Sequence, residues 1–329
     1  MRHNEIVLEI RAEGLYCAAG DFFIDPVLPV DRAVLTHVHA DHARPGSRQY
    51  LTSAAGIGLA RARLGEDAAV QAADYGERLT IGDVTVSLHP AGHILGSAQV
   101  RMERGGEVWV AAGDYKLARD PSCAAFEALR CHTFVTESTF ALPIFRWAAS
   151  AEVLRSIEEW WRGNQSAGKA SVLFAYPVGK AQRILAALDA GIGPILCHGA
   201  VERYNAIYRA QGIPIPLVSG SEDVRRALVV APPSAMGSPW LRRFGTASTA
   251  MASGWMRIRG TRRRRALDRG FVLSDHADWP GLLEAIAASG AERVWVTHGY
   301  RTVLARWLSE NGKNAEAIEL PLAEREEEG

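Results

Sequence analysis

Between positions 31 and 42 the chain reads DRAVLTHVHADH, so four potential metal ligands (His37, His39, Asp41 and His42) arrive in close succession. In extended backbone, side chains two apart share a face, so His37 and His39 can reach one ion together. Asp41 and His42 follow where the chain must turn, and they can face a second ion beside the first. Imidazole nitrogens suit zinc and similar ions, while a carboxylate adds charge and accepts harder ions such as manganese. A run of surface histidines on a loop is the plain alternative. The density of H-x-H-x-D-H directly behind the apolar run Ala33, Val34, Leu35 argues against it.

H-x-H-x-D-H after a strand resembles the metallo-β-lactamase superfamily, metal-dependent hydrolases with a four-layer αββα fold. His93, in AGHILGSAQV, would complete a three-histidine set with His37 and His39. Later stretches resemble the β-CASP nuclease branch: TESTF around Glu137, FAYPVGKAQRIL from Phe174, and SDHAD around His276. Within that branch the chain is most similar to short bacterial exonucleases described as DNA-ligase-associated, and the likeness covers nearly its whole length.

The resemblance implies roles for particular residues. Asp114, at the end of EVWVAAGD, would bridge two ions, and His298, in RVWVTHGY, would be the last ligand. The sets then read His37, His39 and His93 for one ion and Asp41, His42 and His298 for the other, with Asp114 between. His276 would be the general acid, with Glu137 accepting its other N–H. Asp25 would buttress the ligand loop through hydrogen bonds, although on residues alone an Asp before Pro26 reads as turn-forming. His89 has the same residue type as His93 but is expected behind the ligands or in a structural role. Two positions depart from the family's F-A-x-G-R-x-Q-E pattern: Lys180 replaces its Arg and Arg183 its Glu.

Short strands must carry these side chains. EIVLEI (5–10), DFFIDPV (21–27), EVWVA and TFVT read as strands, and LTIGDVTVSLH as a hairpin. SAAGIGLARARL reads as a helix with Ser53 as its cap. An apolar strand at FVL (271–273) is expected to deliver Ser274, Asp275, His276 and Asp278 into a turn. From about Ala141 strands and helices alternate, which argues for a small parallel sheet with its own helices. That segment is too long for a loop, so it reads as an insertion. With the resemblance, the expected architecture is α/β. A metallo-β-lactamase αββα sandwich spans residues 1–140 and 268–329, and a β-CASP α/β domain occupies 141–267.

At 329 residues, 48% apolar and 22% charged, the chain has the profile of a soluble globular protein with room for one large domain or two ordinary ones. Its formal net charge is zero, so nucleic acid must be met by a local basic patch rather than a global field. Such a patch lies at 242–269, where Arg257, Arg259, Arg262, Arg263 and Arg264 are interleaved with Trp240, Phe244 and Trp255. It reads as a strip for phosphates with aromatics to stack on bases, against the plain alternative of a solvated face. Lys180 is grouped with these arginines as a nucleic-acid contact. The four cysteines are scattered and suggest neither a disulfide framework nor a thiolate zinc site. With no apolar leader and no stretch of membrane-spanning length, a cytoplasmic location and no membrane partner are expected.

The expected function is a metal-dependent nuclease, a DNA exonuclease working from a 5′ end in repair. It would use two divalent ions, zinc first and manganese or iron as rivals. Single-stranded DNA would be the substrate, and a DNA ligase or other repair proteins the partners. Polarity, exonucleolytic mode and ligase association come from the resemblance alone. The rival is an RNA-processing ribonuclease of the mRNA 3′-end-processing kind. His298 favours it, since many DNA-cleaving relatives carry an apolar residue there; the shorter chain weighs against it. A small-molecule hydrolase is disfavoured by the insertion and the arginine strip, and a non-catalytic binder by the complete ligand set.

Overall fold

A computed structural model describes residues 7–218, 224–258 and 260–321. Short strands pair in chain order into a first sheet: β1 (Glu9–Arg11), β2 (Gly14–Cys17), β3 (Phe22–Ile24), β4 (Arg32–Val34), β5 (Gln49–Ser53) and β6 (Val70–Ala73). β1 to β3 are antiparallel and β3 to β6 parallel. The early segment read as two strands thus holds three, and positions 5 and 6 of EIVLEI lie outside the described residues. After β5, the Ser53 hydroxyl accepts from the Gly56 N–H at 3.1 Å and caps the turn into α1 (Ile57–Leu64).

β7 (Leu79–Ile81) and β8 (Val84–Pro90) form the expected hairpin, and β9 (Ala98–Arg104), β10 (Glu107–Ala111) and β11 (Thr133–Thr136) extend it into a second sheet. The chain then leaves this sheet and returns to it much later. Ile144–Asp275 forms a separate compact unit, while, among the described residues, 276–321 rejoin 7–143.

The second unit runs α2 (Ser150–Ser166), β12 (Ala170–Phe174), α3 (Lys180–Ala187), β13 (Ile195–Cys197), α4 (Gly199–Ala210), β14 (Leu228–Ala231), β15 (Ala247–Ala252), α5 (Thr261–Arg264) and β16 (Arg269–Phe271). Its five strands are all parallel, in the order β13-β14-β12-β15-β16. Parallel pairing needs long crossovers, which the helices supply. β12 and β14 are buried on both faces, and β14 is accordingly a continuous apolar run, while in β12 the one polar residue, Ser171, accepts from the Asn164 side chain at 2.8 Å. Because Arg269–Phe271 pairs in register with Ala250–Ala252, the unit extends beyond position 267. The strand expected at 271–273 ends at Phe271, so Ser274 and Asp275 follow irregular backbone rather than a strand end.

The returning chain adds α6 (Trp279–Ser289), β17 (Arg293–Val296), α7 (Arg301–Glu310) and β18 (Asn314–Ala317). β17 lies between β11 and β18, giving the second sheet the order β18-β17-β11-β10-β9-β8-β7. Its central strands alternate between two cores with the period of a strand. Trp109, Ala111 and Val135 face a core shared with Phe22, Ile24, Val34 and Leu51 of the first sheet. Val110, Phe134, Val294 and Val296 face the other way, onto Leu282 and Ile286 of α6 and Leu304 and Leu308 of α7. Among the described residues no helix is long and apolar enough to cross a membrane.

Candidate metal centre

The site is built where strands of both sheets of the first unit end. Past β4, the His39 carbonyl accepts from the N–H groups of His42 (3.0 Å) and Ala43 (2.8 Å), which closes the ligand loop into a tight turn. His93 comes from the connection between β8 and β9, held by Ser97 Oγ, which accepts from the N–H groups of His93 (3.1 Å) and Ile94 (3.2 Å). Asp114 follows β10 after Gly113, whose φ is +58°. A Cβ on Gly113 would stand 2.6 Å from the Thr36 side chain, so only glycine lets the two strand ends approach so closely.

Three imidazole nitrogens and one carboxylate oxygen converge. His39 Nδ1 lies 3.1 Å from His37 Nε2 and 3.1 Å from His93 Nε2. Asp114 Oδ2 lies 3.4 Å from His37 Nε2 and 3.8 Å from His93 Nε2. All four residues are buried. Hydrogen bonding does not account for this geometry, because one His39 Nδ1 cannot both donate to and accept from its neighbours to satisfy both nitrogens. The four ligand atoms lie close enough together to hold one shared cation. Zinc–nitrogen bonds of about 2.0–2.1 Å in a tetrahedron place neighbouring ligand atoms about 3.3 Å apart, close to the spacing here. Burial holds His37 well below the usual imidazole range, with the charges of His42 and His39 adding to it, so it presents a lone pair.

A second group stands on the other side of Asp114. His42 Nε2 is 3.5 Å from Asp114 Oδ2 and 3.7 Å from Asp41 Oδ2, and the His42 and His298 ring centres are 5.5 Å apart. Asp41, His42 and His298 line one cavity with Asp25 and Thr36. Burial disfavours a charged His42, yet the carboxylates of Asp114, Asp41 and Asp25 outweigh it and raise the imidazole to about 10. Burial takes His298 the other way, down to about 4. Burial also raises Asp114, to about 7, against the pull of His42 and His276, so the acids and imidazoles here lean on one another.

Asp25 ties the loop together. Its carboxylate accepts from the Thr36 N–H (2.8 Å) and hydroxyl (2.5 Å) and pairs with His42 Nδ1 (2.8 Å), which turns Nε2 of His42 toward Asp114. Asp25 and His298 both adopt left-handed backbone, with φ of 45° and 53°, a conformation costly for residues with a Cβ. Thr36 and Ser138 are contributors that sequence reasoning missed. Thr36 Oγ1 lies 3.1 Å from His37 Nδ1, while the Ser138 hydroxyl donates to the carbonyls of Thr297 (3.0 Å) and His298. Their only sequence signal is adjacency to His37 and Glu137.

Glu137, at the end of β11, lies 2.8 Å through Oε2 from His276 Nδ1 and accepts through Oε1 from the Tyr115 N–H at 3.0 Å. Burial works against its charge, but the His276 ring and these hydrogen bonds hold its carboxyl below the usual range. His276 Nδ1 is also 3.9 Å from Asp114 Oδ2, and its ring centre is 4.7 Å from that of His93. Asp114, Glu137 and His276 form a second grouping that could hold a cation. His89 bonds instead to Ser87 Oγ (3.0 Å) and Glu127 (3.1 Å), a structural role.

The basic patch differs from expectation in its aromatics. Arg257, Arg262, Arg263 and Arg264 are exposed on α5 and the turn before it, and Arg259 lies outside the described residues. Phe244 is buried in the core of the second unit, Trp240 packs on His198 and Phe244, and Trp255 packs edge-on against Phe145. Phe244 therefore fills the core, while Trp240 and Trp255 are half-buried against rings of their own unit. Lys180 is also not on open surface: it is 3% exposed and ion-paired with Asp275 at 3.4 Å.

No family model matches the chain. It is 34% identical over 313 residues, 93% of its length, to a protein named probable DNA ligase of Opitutus terrae, of which it spans 30%. Over 42% of its length it is 27% identical to endoribonuclease ysh-1 of Neurospora crassa (16% of that chain) and 31% identical to transcription termination factor FttA of Methanothermobacter thermautotrophicus (24% of that chain). The last two are β-CASP members of the metallo-β-lactamase superfamily. The chain is a β-CASP relative. That kinship implies a metallo-β-lactamase fold for this mixed α/β chain. A crystal structure of a protein of unknown function from Enterococcus faecalis V583 superposes with a TM-score of 0.59 at 12% identity, covering 88% of this chain and 79% of that one; it speaks to fold alone. The chain spans less than a third of each curated relative it matches.

Proposed function

We propose that this β-CASP relative is a metal-dependent nuclease, and that its substrate is DNA, degraded from a 5′ end. The carrying observation is the convergence of His37, His39, His93 and Asp114 next to a buried Glu137–His276 pair. In this reading the first unit is the αββα metallo-β-lactamase sandwich and the second the β-CASP insert. His37, His39 and His93 would hold one ion and Asp41, His42 and His298 a second, with Asp114 as the carboxylate shared by both sets. Zinc suits the donor set, with manganese and iron as alternatives. When bound, such ions supply Lewis acidity that activates water and offsets the charge of a phosphodiester.

The chain's own residues do the rest. Glu137 accepts the Nδ1 proton of His276 and fixes the ring, which leaves Nε2 to carry the proton that the departing sugar oxygen needs. Asp25 and Thr36 orient His42 and His37. The exposed arginines 257 and 262–264 would hold the phosphate backbone. DNA is favoured because a segment similar to nearly the whole of this chain lies within a protein named a DNA ligase; a ligase or another repair protein is the proposed partner. The second reading, an RNA-processing ribonuclease, is supported by the name of the Neurospora relative and by the His298 position. Incubating the protein, loaded with zinc or manganese, with end-labelled single-stranded DNA and RNA of matched sequence tests both. Stepwise loss of nucleotides from the 5′ end of DNA is expected. Cleavage of RNA alone would establish the second reading, and no cleavage of either would defeat both.

A further inference from the structure

Lys180, Arg183 and Asp275 form a buried charge cluster in the second unit, each no more than 3% exposed. Lys180 and Arg183 stand three residues apart on α3, hence on one face. Lys180 Nζ is 3.4 Å from Asp275 Oδ2 and Arg183 Nη1 is 3.3 Å from Oδ1, so each carboxylate oxygen faces one cation. Arg183 Nη1 also donates to the Ser274 carbonyl at 2.5 Å, and Nη2 to Ser150 Oγ at 2.7 Å. A planar guanidinium that grips a carbonyl, a carboxylate and a hydroxyl fixes the segment it holds in position and direction. Taking three charges out of water is costly, and a buried ion cluster is weak evidence for stability as such. What this cluster holds is irregular backbone, Ser274–Asp275, and the next residue along the chain is His276.

We propose that Arg183, assisted by Lys180, is a positioning residue for His276. The guanidinium clamps the two residues before it and so restrains the backbone from which the imidazole projects. The idea rests on His276 being the proton donor. Neither cation reaches the surface, so neither touches the nucleic-acid strand.

The test uses a leaving group that needs no proton. Wild type, Arg183→Met, Arg183→Lys and His276→Ala, each with its metal content measured, are compared on a labelled oligonucleotide and on thymidine 5′-(p-nitrophenyl) phosphate, whose p-nitrophenolate departs as a stable anion. General acid catalysis is worth about 10²–10⁴-fold, so Arg183→Met should lose about tenfold or more in kcat on the oligonucleotide, with little change in KM. It should keep near wild-type turnover of the nitrophenyl ester, and Arg183→Lys should recover part of the loss. Affinity of EDTA-treated protein for an all-phosphorothioate oligonucleotide should be the same with and without the substitution. Equal losses on both substrates by Arg183→Met, with His276→Ala spared on the ester, would overturn the positioning role alone. Equal losses by His276→Ala would overturn the proton-donor reading and the inference with it. Weaker oligonucleotide binding would make Arg183 a strand contact instead. If Arg183→Met does not fold, Ser150→Ala removes only the Nη2 bond and should show a smaller loss with the same substrate split; no split would overturn the proposal.

Discussion

At the scale of single residues, the centre depends on groups that touch no substrate. Asp25 serves three acceptor roles at once, toward the Thr36 N–H, the Thr36 hydroxyl and His42 Nδ1. Partners of this kind behind ligands are typically worth about 10–100-fold in metal affinity, so Asp25→Ala should weaken binding at the His42 side by that factor in a competition titration. His276→Ala should behave in the opposite way, keeping its metal while turnover on DNA falls by about 10²–10⁴-fold. Metal loss in that variant would place His276 among the ligands. The convergence of His37 and His39 was readable from their spacing of two, although β4 ends at Val34 and both residues stand on the irregular loop behind it. Asp25 was not readable from its neighbours: Pro26 suggests a turn, and the partners that matter lie 11 and 17 residues away. Lys180 was misplaced for a related reason. Charge suggests solvent, and only the fold brings Asp275 to it.

At the scale of elements, the strand ends carry the strain and the helices have room to spare. Gly299, next to His298, has a φ of +51°, and a Cβ there would stand 2.4 Å from the Ser138 carbonyl oxygen. Gly299→Ala should therefore cost about 1–3 kcal/mol in denaturant unfolding, as strained backbone and overpacking do. Gly163 in α2 is the counterpart, since a Cβ there meets nothing within 4 Å. Gly163→Ala should stabilise by about 0.5–1 kcal/mol in the same experiment. Element types were legible wherever a run of one period was long enough, as in the 7–8 hairpin and the alternating strands and helices after Ala141. FVL misled because an apolar triplet before a polar turn looks alike whether the strand lies before it or within it. Pairing with β15 decided the matter, and pairing is not written in a local window.

At the scale of the molecule, the second sheet is assembled from both sides of the insertion: β11 and β17 are parallel neighbours although Thr136 and Thr297 lie 161 residues apart. Metal that binds only the folded centre should protect the strands that converge on it. In hydrogen exchange, adding zinc to EDTA-treated protein should slow amides at 34–43, 91–98, 112–115 and 296–299 while leaving β12, β14 and β15 unchanged. Uniform protection of both units would contradict a centre confined to the first. That the chain interrupts one fold with another could be inferred from the distance between ligand motifs, but the exact seam could not, because it is set by which sheet each strand joins.

The order of the parts along the polypeptide has a consequence for its synthesis. A ribosome delivers His37, His39, Asp41, His42, His93, Asp114 and Glu137 first, then the whole of Ile144–Asp275, and only afterwards His276 and His298. On the proposed reading, a nascent chain is therefore without its proton donor and last ligand until position 298 clears the exit tunnel, and it cannot cut until the interrupted fold has been closed by its final segment.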